Sequence, residues 1–98
     1  MRRRGPRPVA YALDGLTGRL APPTLLAEVQ RAWPTAAGGL FAERAHPVGE
    51  RDGTVVVTCD EAVVAQELAL FAERVRERLN EALGRHAVRA LRVRGPAA

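Results

Sequence analysis

The sequence predicts an α+β domain, a three-stranded sheet packed on one side by helices and preceded by an N-terminal helix. Three observations predict it. A tight Asp52-Gly53 turn opens a β-branched run, Thr54-Val-Val-Val-Thr-Cys59. That run passes straight into a long segment, Glu61 to Leu83, whose apolar residues recur at steps of three and four. After Gly84 comes a second alternating run, Val88-Arg-Ala-Leu-Arg-Val-Arg94. A sheet with helices on one face is the architecture that buries these stripes together.

At 98 residues there is room for one domain with a modest core. An apolar content of 47% is that of a globular protein rather than a disordered one. The net charge is +4, and all 15 basic side chains are arginine, clustered toward both ends. Such a balance points to a polyanion, nucleic acid above all; the alternative is that the charge only keeps the protein soluble. The aromatics are Tyr11, Trp33, Phe41 and Phe71, too few for a platform that stacks single-stranded bases. A single cysteine, Cys59, excludes an internal disulfide and a four-cysteine zinc site. No apolar run approaches 18 residues, and Arg2-Arg3-Arg4 leads into Gly5-Pro6 instead of an apolar stretch. The expected location is cytoplasmic.

Along the chain, residues 1–7 read as a disordered basic arm, 8–94 as a single domain and 95–98 as a short tail. Val9, Leu13, Leu16 and Leu20 lie on one face of a helix that Pro8 opens. Gly15 and Gly18 weaken that helix by about 1 kcal/mol each relative to alanine, so it needs packing to persist. After Pro22-Pro23, Thr24 is placed to cap a helix whose buried stripe is Leu25, Leu26, Val29 and Trp33. Pro34 is expected to end or kink it. Arg44 to Val48 reads as a strand that Pro47 confines to an edge or bulges. The Asp52-Gly53 turn pairs it with the next strand, where Val55, Val57 and Cys59 share one face and Thr54, Val56 and Thr58 the other. Asp60 is placed to cap the long helix, whose stripe is Val64, Leu68, Phe71, Val75 and Leu79. Three pairs at i,i+3 spacing, Glu73 with Arg76, Arg74 with Glu77 and Arg78 with Glu81, mark its solvated side. A break near Leu70–Ala72 stays open at this point. Gly84 suits the position after the helix end.

The order and spacing of several stretches resemble one bacterial family. They are Leu25-Leu-Ala-Glu-Val-Gln-Arg-Ala-Trp33, Gly38, His46-Pro47, Asp52-Gly-Thr-Val-Val-Val57 and Ala65-Gln-Glu-Leu68. Arg78-Leu-Asn-Glu-Ala-Leu-Gly84 and the arginine-bearing run to Arg94 complete the series. The chain resembles the DciA family over roughly residues 9–94. The resemblance implies a KH-like fold and a role in chromosome replication. Its implied partners are single-stranded DNA and the replicative DnaB-type helicase, whose loading the protein would assist.

The residues themselves point to charge rather than catalysis. Arg92 and Arg94, two apart, project from one face of the last strand, with Leu91 and Val93 on the other. Arg85 and Arg89 lie just upstream, and Arg2, Arg3, Arg4 and Arg7 form the arm. These eight are the expected nucleic-acid contacts, since guanidinium offers paired donors to phosphate. Contacts of this kind hold the backbone, so binding should be salt-sensitive and weakly selective for sequence. The alternative is a sheet edge kept from aggregating by charge. Gly15-Leu-Thr-Gly18 matches the spacing of a KH phosphate loop but falls within a helical stripe upstream of the core. A two-residue turn would set His46 opposite Cys59, yet no third group or pocket accompanies them, and Cys59 alternates with core valines. His86 follows a helix end, where it compensates the dipole. Trp33 continues a buried stripe. No catalytic, metal-binding or cofactor-binding residue is expected. Two other readings stay open, a protein-interaction module with incidental charge and a general RNA-binding domain.

Overall fold

The computed structural model describes residues 23–96. In chain order these form α1 (Leu25–Ala37), α2 (Gly39–Arg44), β1 (Ala45–Arg51), β2 (Thr54–Cys59), α3 (Ala62–Leu83) and β3 (Ala90–Arg94). The strands lie in the order β1-β2-β3, with β1 antiparallel and β3 parallel to the central β2. The fold is α+β as expected, with the helices gathered against one side of the sheet. The arm over residues 1–7 and the helix over Val9–Leu20 lie outside the described residues.

The core follows the apolar stripes. Val55, Val57 and Cys59 of β2 are buried against Val29 and Trp33 of α1 and Val64, Leu68, Val75 and Leu79 of α3. Thr24 caps α1, its hydroxyl accepting the Ala27 N–H at 3.1 Å. Trp33 is 3% exposed, and its indole N–H donates to the Phe41 carbonyl at 3.0 Å, tying α1 to α2. Pro34 does not end the helix as expected. It faces solvent while Trp33, Ala36 and Ala37 are buried, so packing of the last turn outweighs one missing backbone hydrogen bond.

The hairpin forms around Asp52 and Gly53, both at positive φ (52° and 87°), the geometry that twisted strands require of a two-residue turn. The Glu50 carboxylate accepts the Gly53 N–H at 2.8 Å and fastens the turn. Pairing runs true for Arg51↔Thr54, Glu50↔Val55 and Gly49↔Val56, then shifts between Pro47 and Gly49. The extra residue, Val48, is a bulge in an edge strand beside the proline that cannot donate. Beyond it the register becomes His46↔Thr58 and Ala45↔Cys59. The expected opposition of His46 and Cys59 therefore does not occur.

α3 is one continuous helix, closed by Gly84 at φ 76°, whose N–H reaches the Asn80 carbonyl at 2.9 Å. Two expectations along it fail. Phe71 is 50% exposed, with its ring against Phe41 at a centroid distance of 6.3 Å, instead of within the core. Asp60 does not cap the helix; Glu61 holds the cap position, and the Asp60 carboxylate meets the His46 imidazole at 3.2 Å. Of the three i,i+3 pairs, Glu73–Arg76 closes as an ion pair at 2.8 Å. The last strand begins at Ala90 rather than Val88. Buried Asn80 explains this: its side chain donates to the Val88 carbonyl at 2.9 Å and accepts the Val88 N–H at 2.8 Å. Among the described residues no helix is long and apolar enough to cross a membrane.

Candidate nucleic-acid interface

Strand pairing decides which side chains share the uncovered face of the sheet. Residues directly paired across two strands project the same way, and alternate residues project oppositely. Val55 and Val57 point into the helices, so Thr54, Val56 and Thr58 point out. Their β3 partners are Ala90, Arg92 and Arg94. Their β1 partners are Arg51, Gly49 and His46. The open face thus carries three rows: Arg51–Thr54–Ala90, Gly49–Val56–Arg92 and His46–Thr58–Arg94. A shallow hollow over it is lined by Arg51, Thr54, Val56 and Arg92, with Glu50 and Asp52 at the turn end.

Away from the turn, the charge on this face is positive. Arg51, Arg92 and Arg94 are exposed. Among the described residues none of the three has a carboxylate within ion-pair distance. Of the nearby acids, Glu50 is engaged on the Gly53 N–H, Asp60 on His46, and Glu61 on Arg44 at 3.3 Å, while Asp52 lines the turn end of the hollow. Arg92 and Arg94 stand two residues apart, about 6.6 Å along the strand. Val56 and the two threonines between the cations present a surface low in charge, with the exposed His46 imidazole at its edge. What such a face can do is hold a chain of anions by guanidinium contacts without reading bases.

Of the eight arginines expected as contacts, four fall among the described residues, and these separate in the structure. Arg92 and Arg94 stand on the open face. Arg89 is exposed at the entry to β3, its N–H donating to the Gly53 carbonyl at 2.8 Å. Its stem lies over the turn, where a Cβ at Gly53 would sit 2.8 Å from Arg89 Cγ and Cδ. Arg85 lies on the helical side, gripping Glu28 with two bonds of 2.9 Å that join the end of α3 to the start of α1. The hydrogen bond from Arg85 holds the Glu28 carboxyl below its ordinary pKa, and the same bond raises that of Arg85. Arg2, Arg3, Arg4 and Arg7, with the Gly15–Gly18 spacing, lie outside the described residues. Arg51 was not among the expected contacts. The signal for it was present, because a two-residue turn sets residue 51 opposite Thr54.

Nucleophilic chemistry finds no support in the geometry. Cys59 is 4% exposed and faces the helices; burial, with the Asp60 charge adding, pushes its thiol pKa up. His46 is on the other face. His86 is exposed beyond α3, beside a hollow whose walls include Asn80, Arg85 and Arg76, all bonded within the fold. No group of three or more His, Cys, Asp or Glu among the described residues is placed to hold a metal ion.

A family model described as "Dna[CI] antecedent, DciA" matches residues 9–93. A "UPF0232 protein" of Streptomyces avermitilis is 36% identical over 76 residues, covering 76% of this chain and 42% of that protein. A UPF0232 protein of Mycobacterium tuberculosis is 29% identical over 97 residues, covering 97% of this chain and 52% of its own length. Another, of Mycobacterium leprae, is 28% identical over the same span. The chain spans about half the length of the curated relatives it matches. The match across nearly the whole described domain makes this chain a member of the DciA family.

Proposed function

We propose that the protein is a non-enzymatic, cytoplasmic nucleic-acid-binding accessory of bacterial DNA replication that assists loading of the replicative DnaB-type helicase on single-stranded DNA. The observation that carries the binding half is the open face of the sheet, where Arg51, Arg92 and Arg94 converge without carboxylate partners among the described residues. Family membership supports the replication half. That face carries no Phe, Tyr or Trp among the described residues, which favours contact with backbone phosphates, tolerant of sequence.

The test is a salt titration of affinity for single-stranded DNA, duplex DNA and RNA. For a single strand, log K falls with log salt at about 0.7 per phosphate contact, so three arginines give a slope near about −2. Affinity is expected to fall when Arg92 and Arg94 are replaced by alanine. Undetectable binding at low salt overturns the nucleic-acid reading and leaves the interaction module. Preference for RNA favours the general RNA-binding reading. Retention of the replicative helicase on the immobilised chain tests the loading half separately, and failure to retain it sinks that half even where DNA binds.

A further inference from the structure

His46 stands in the row His46–Thr58–Arg94, at the end of the sheet away from the Asp52-Gly53 turn. It carries the only aromatic ring of the open face among the described residues. Trp33 is buried in α1, and Phe41 and Phe71 pair with each other on α2 and α3. Arg94 occupies the other end of the row. Two strand spacings, about 9.6 Å, separate its Cα from that of His46. The row thus sets a guanidinium at one end, a small uncharged threonine in the middle and a flat ring at the other end.

The ring is held in place from both sides. Ala45 and Pro47, its neighbours in β1, are buried. The Gln30 side chain of α1 donates to the Pro47 carbonyl at 3.0 Å, and the Asp60 N–H donates to the Arg44 carbonyl at 2.9 Å. These contacts fix the backbone around His46, and strand alternation turns its side chain to the open face. There the Asp60 carboxylate meets Nε2 at 3.2 Å. A hydrogen bond at a ring nitrogen lies in the ring plane, so it covers neither face of the imidazole. The side chain remains 50% exposed. An imidazole bonded to a carboxylate makes a poor phosphate contact, because Asp60 offsets any charge on the ring. A fixed, solvent-facing ring is instead suited to stacking on a base.

We propose that His46 stacks one base of a strand whose phosphates lie on Arg92 and Arg94, and that this contact makes the site prefer single strands to duplex. The inference rests on the nucleic-acid reading of the open face and deepens it by naming the residue that sets the preference. In a duplex each interior base is covered on both faces by its neighbours, and exposing one costs unstacking energy. The imidazole then finds no partner. In a single strand every base has a π-face to offer, whatever its identity. Stacking of this kind adds affinity without reading base edges, so it leaves the site tolerant of sequence. Thr58, between cation and ring, leaves room for the sugar that joins phosphate to base.

The test measures affinity of the full chain for a short single-stranded oligodeoxyadenylate, an abasic strand of the same length and a duplex of the same length. His46→Ala is expected to weaken binding to the intact strand about tenfold, the scale of one base stacked on one ring. The same substitution should leave affinity for the abasic strand and the duplex unchanged, since neither offers an open base. It should also leave the salt slope on the intact strand unchanged, whereas each arginine contact removed lowers that slope by about 0.7. His46→Phe, a ring without charge, should recover most of what His46→Ala loses. Phe71→Ala removes a half-exposed ring on the helical side and should not alter affinity. An equal loss on the abasic strand overturns the proposal, because His46 would then hold phosphate or support the fold. So does a His46→Phe variant no better than His46→Ala, or a larger loss from Phe71→Ala. If the intact strand binds and Arg92→Ala weakens it while His46→Ala does not, stacking fails and the phosphate reading stands. If the unaltered protein binds no single strand, both fall together.

Discussion

The two faces of this three-stranded sheet carry opposite chemistry within single strands. In β2 the residues at 55, 57 and 59 are buried under helices, and those at 54, 56 and 58 look out. In β3 Leu91 and Val93 pack on the core while Arg92 and Arg94 face solvent. The helical face concentrates the apolar burial that stabilises the fold. The open face concentrates uncompensated positive charge, which contributes nothing to packing and repels itself. The comparison teaches that stability and binding are segregated by a period of two residues. A mutation can therefore remove one and leave the other.

The largest effect should come from the buried face. Leu68 is fully buried between α3 and the sheet, so Leu68→Ala should cost about 2–5 kcal/mol through lost transfer energy and a cavity. Val56→Ala, on the open face of the same sheet, should cost far less. Urea unfolding of both variants decides the matter, and equal losses would erase the distinction between the faces.

Asn80 comes next, because it is the one buried polar residue of the described core and acts like a strand partner. Asn80→Ala orphans both the N–H and the carbonyl of Val88, at about 1–3 kcal/mol for each group that stays dry. The loss should appear in unfolding, and amide exchange at Val88 and Arg89 should accelerate more than at Val57. Uniform acceleration across the sheet would mean that Asn80 does not locally anchor β3.

Arg92 and Arg94 should behave in the reverse manner. Replacing both with alanine should leave stability within about 0.5 kcal/mol, as for exposed residues without special partners. The salt slope for single-stranded DNA should shrink by about 1.4, two phosphate contacts at about 0.7 each. Arg85→Ala should leave that slope unchanged and reduce stability instead, since Arg85 is bonded to Glu28 on the far side. Anisotropy titrations beside thermal melts separate these outcomes. A slope that falls equally for Arg85→Ala would place the interface on the helices.

Much of this segregation was legible in the sequence. Alternation in Thr54–Cys59 and Leu91–Arg94 named the faces correctly, and the Asp52-Gly53 turn named the hairpin, because both signals are local. What was not legible depends on contacts between distant residues. The bulge at Val48 moved His46 off Cys59, a change that no count along the strand reveals. Pro34 stays helical because Trp33, Ala36 and Ala37 find partners, which propensity does not include. Arg85 and Arg92 look alike in sequence, seven residues apart, yet only Arg85 meets Glu28. Asn80 sits at a position where helical periodicity asks only for a side chain facing inward, and its bonds to Val88 appear only once the chain folds back.

The smallest effect, and the one that isolates Arg85 most cleanly, is a dependence on pH. The bidentate bond from Arg85 lowers the folded-state pKa of Glu28 below its ordinary 4.5. A depressed carboxyl stabilises the fold at pH values above its unfolded pKa, and that contribution disappears as pH falls through the folded value. Glu28→Gln should therefore lower Tm at neutral pH, and the gap from the unaltered protein should close on acidification below about 4.5. The pair is exposed enough that salt should narrow the gap as well. Arg92→Ala should show neither trend, having no carboxylate to release. Thermal melts across pH 3 to 7 at low and high salt check this directly: a gap for Glu28→Gln that persists at the acid end would mean that Glu28 acts through packing, and the charge on the helical side would then have no structural role to set against the free charge of the sheet.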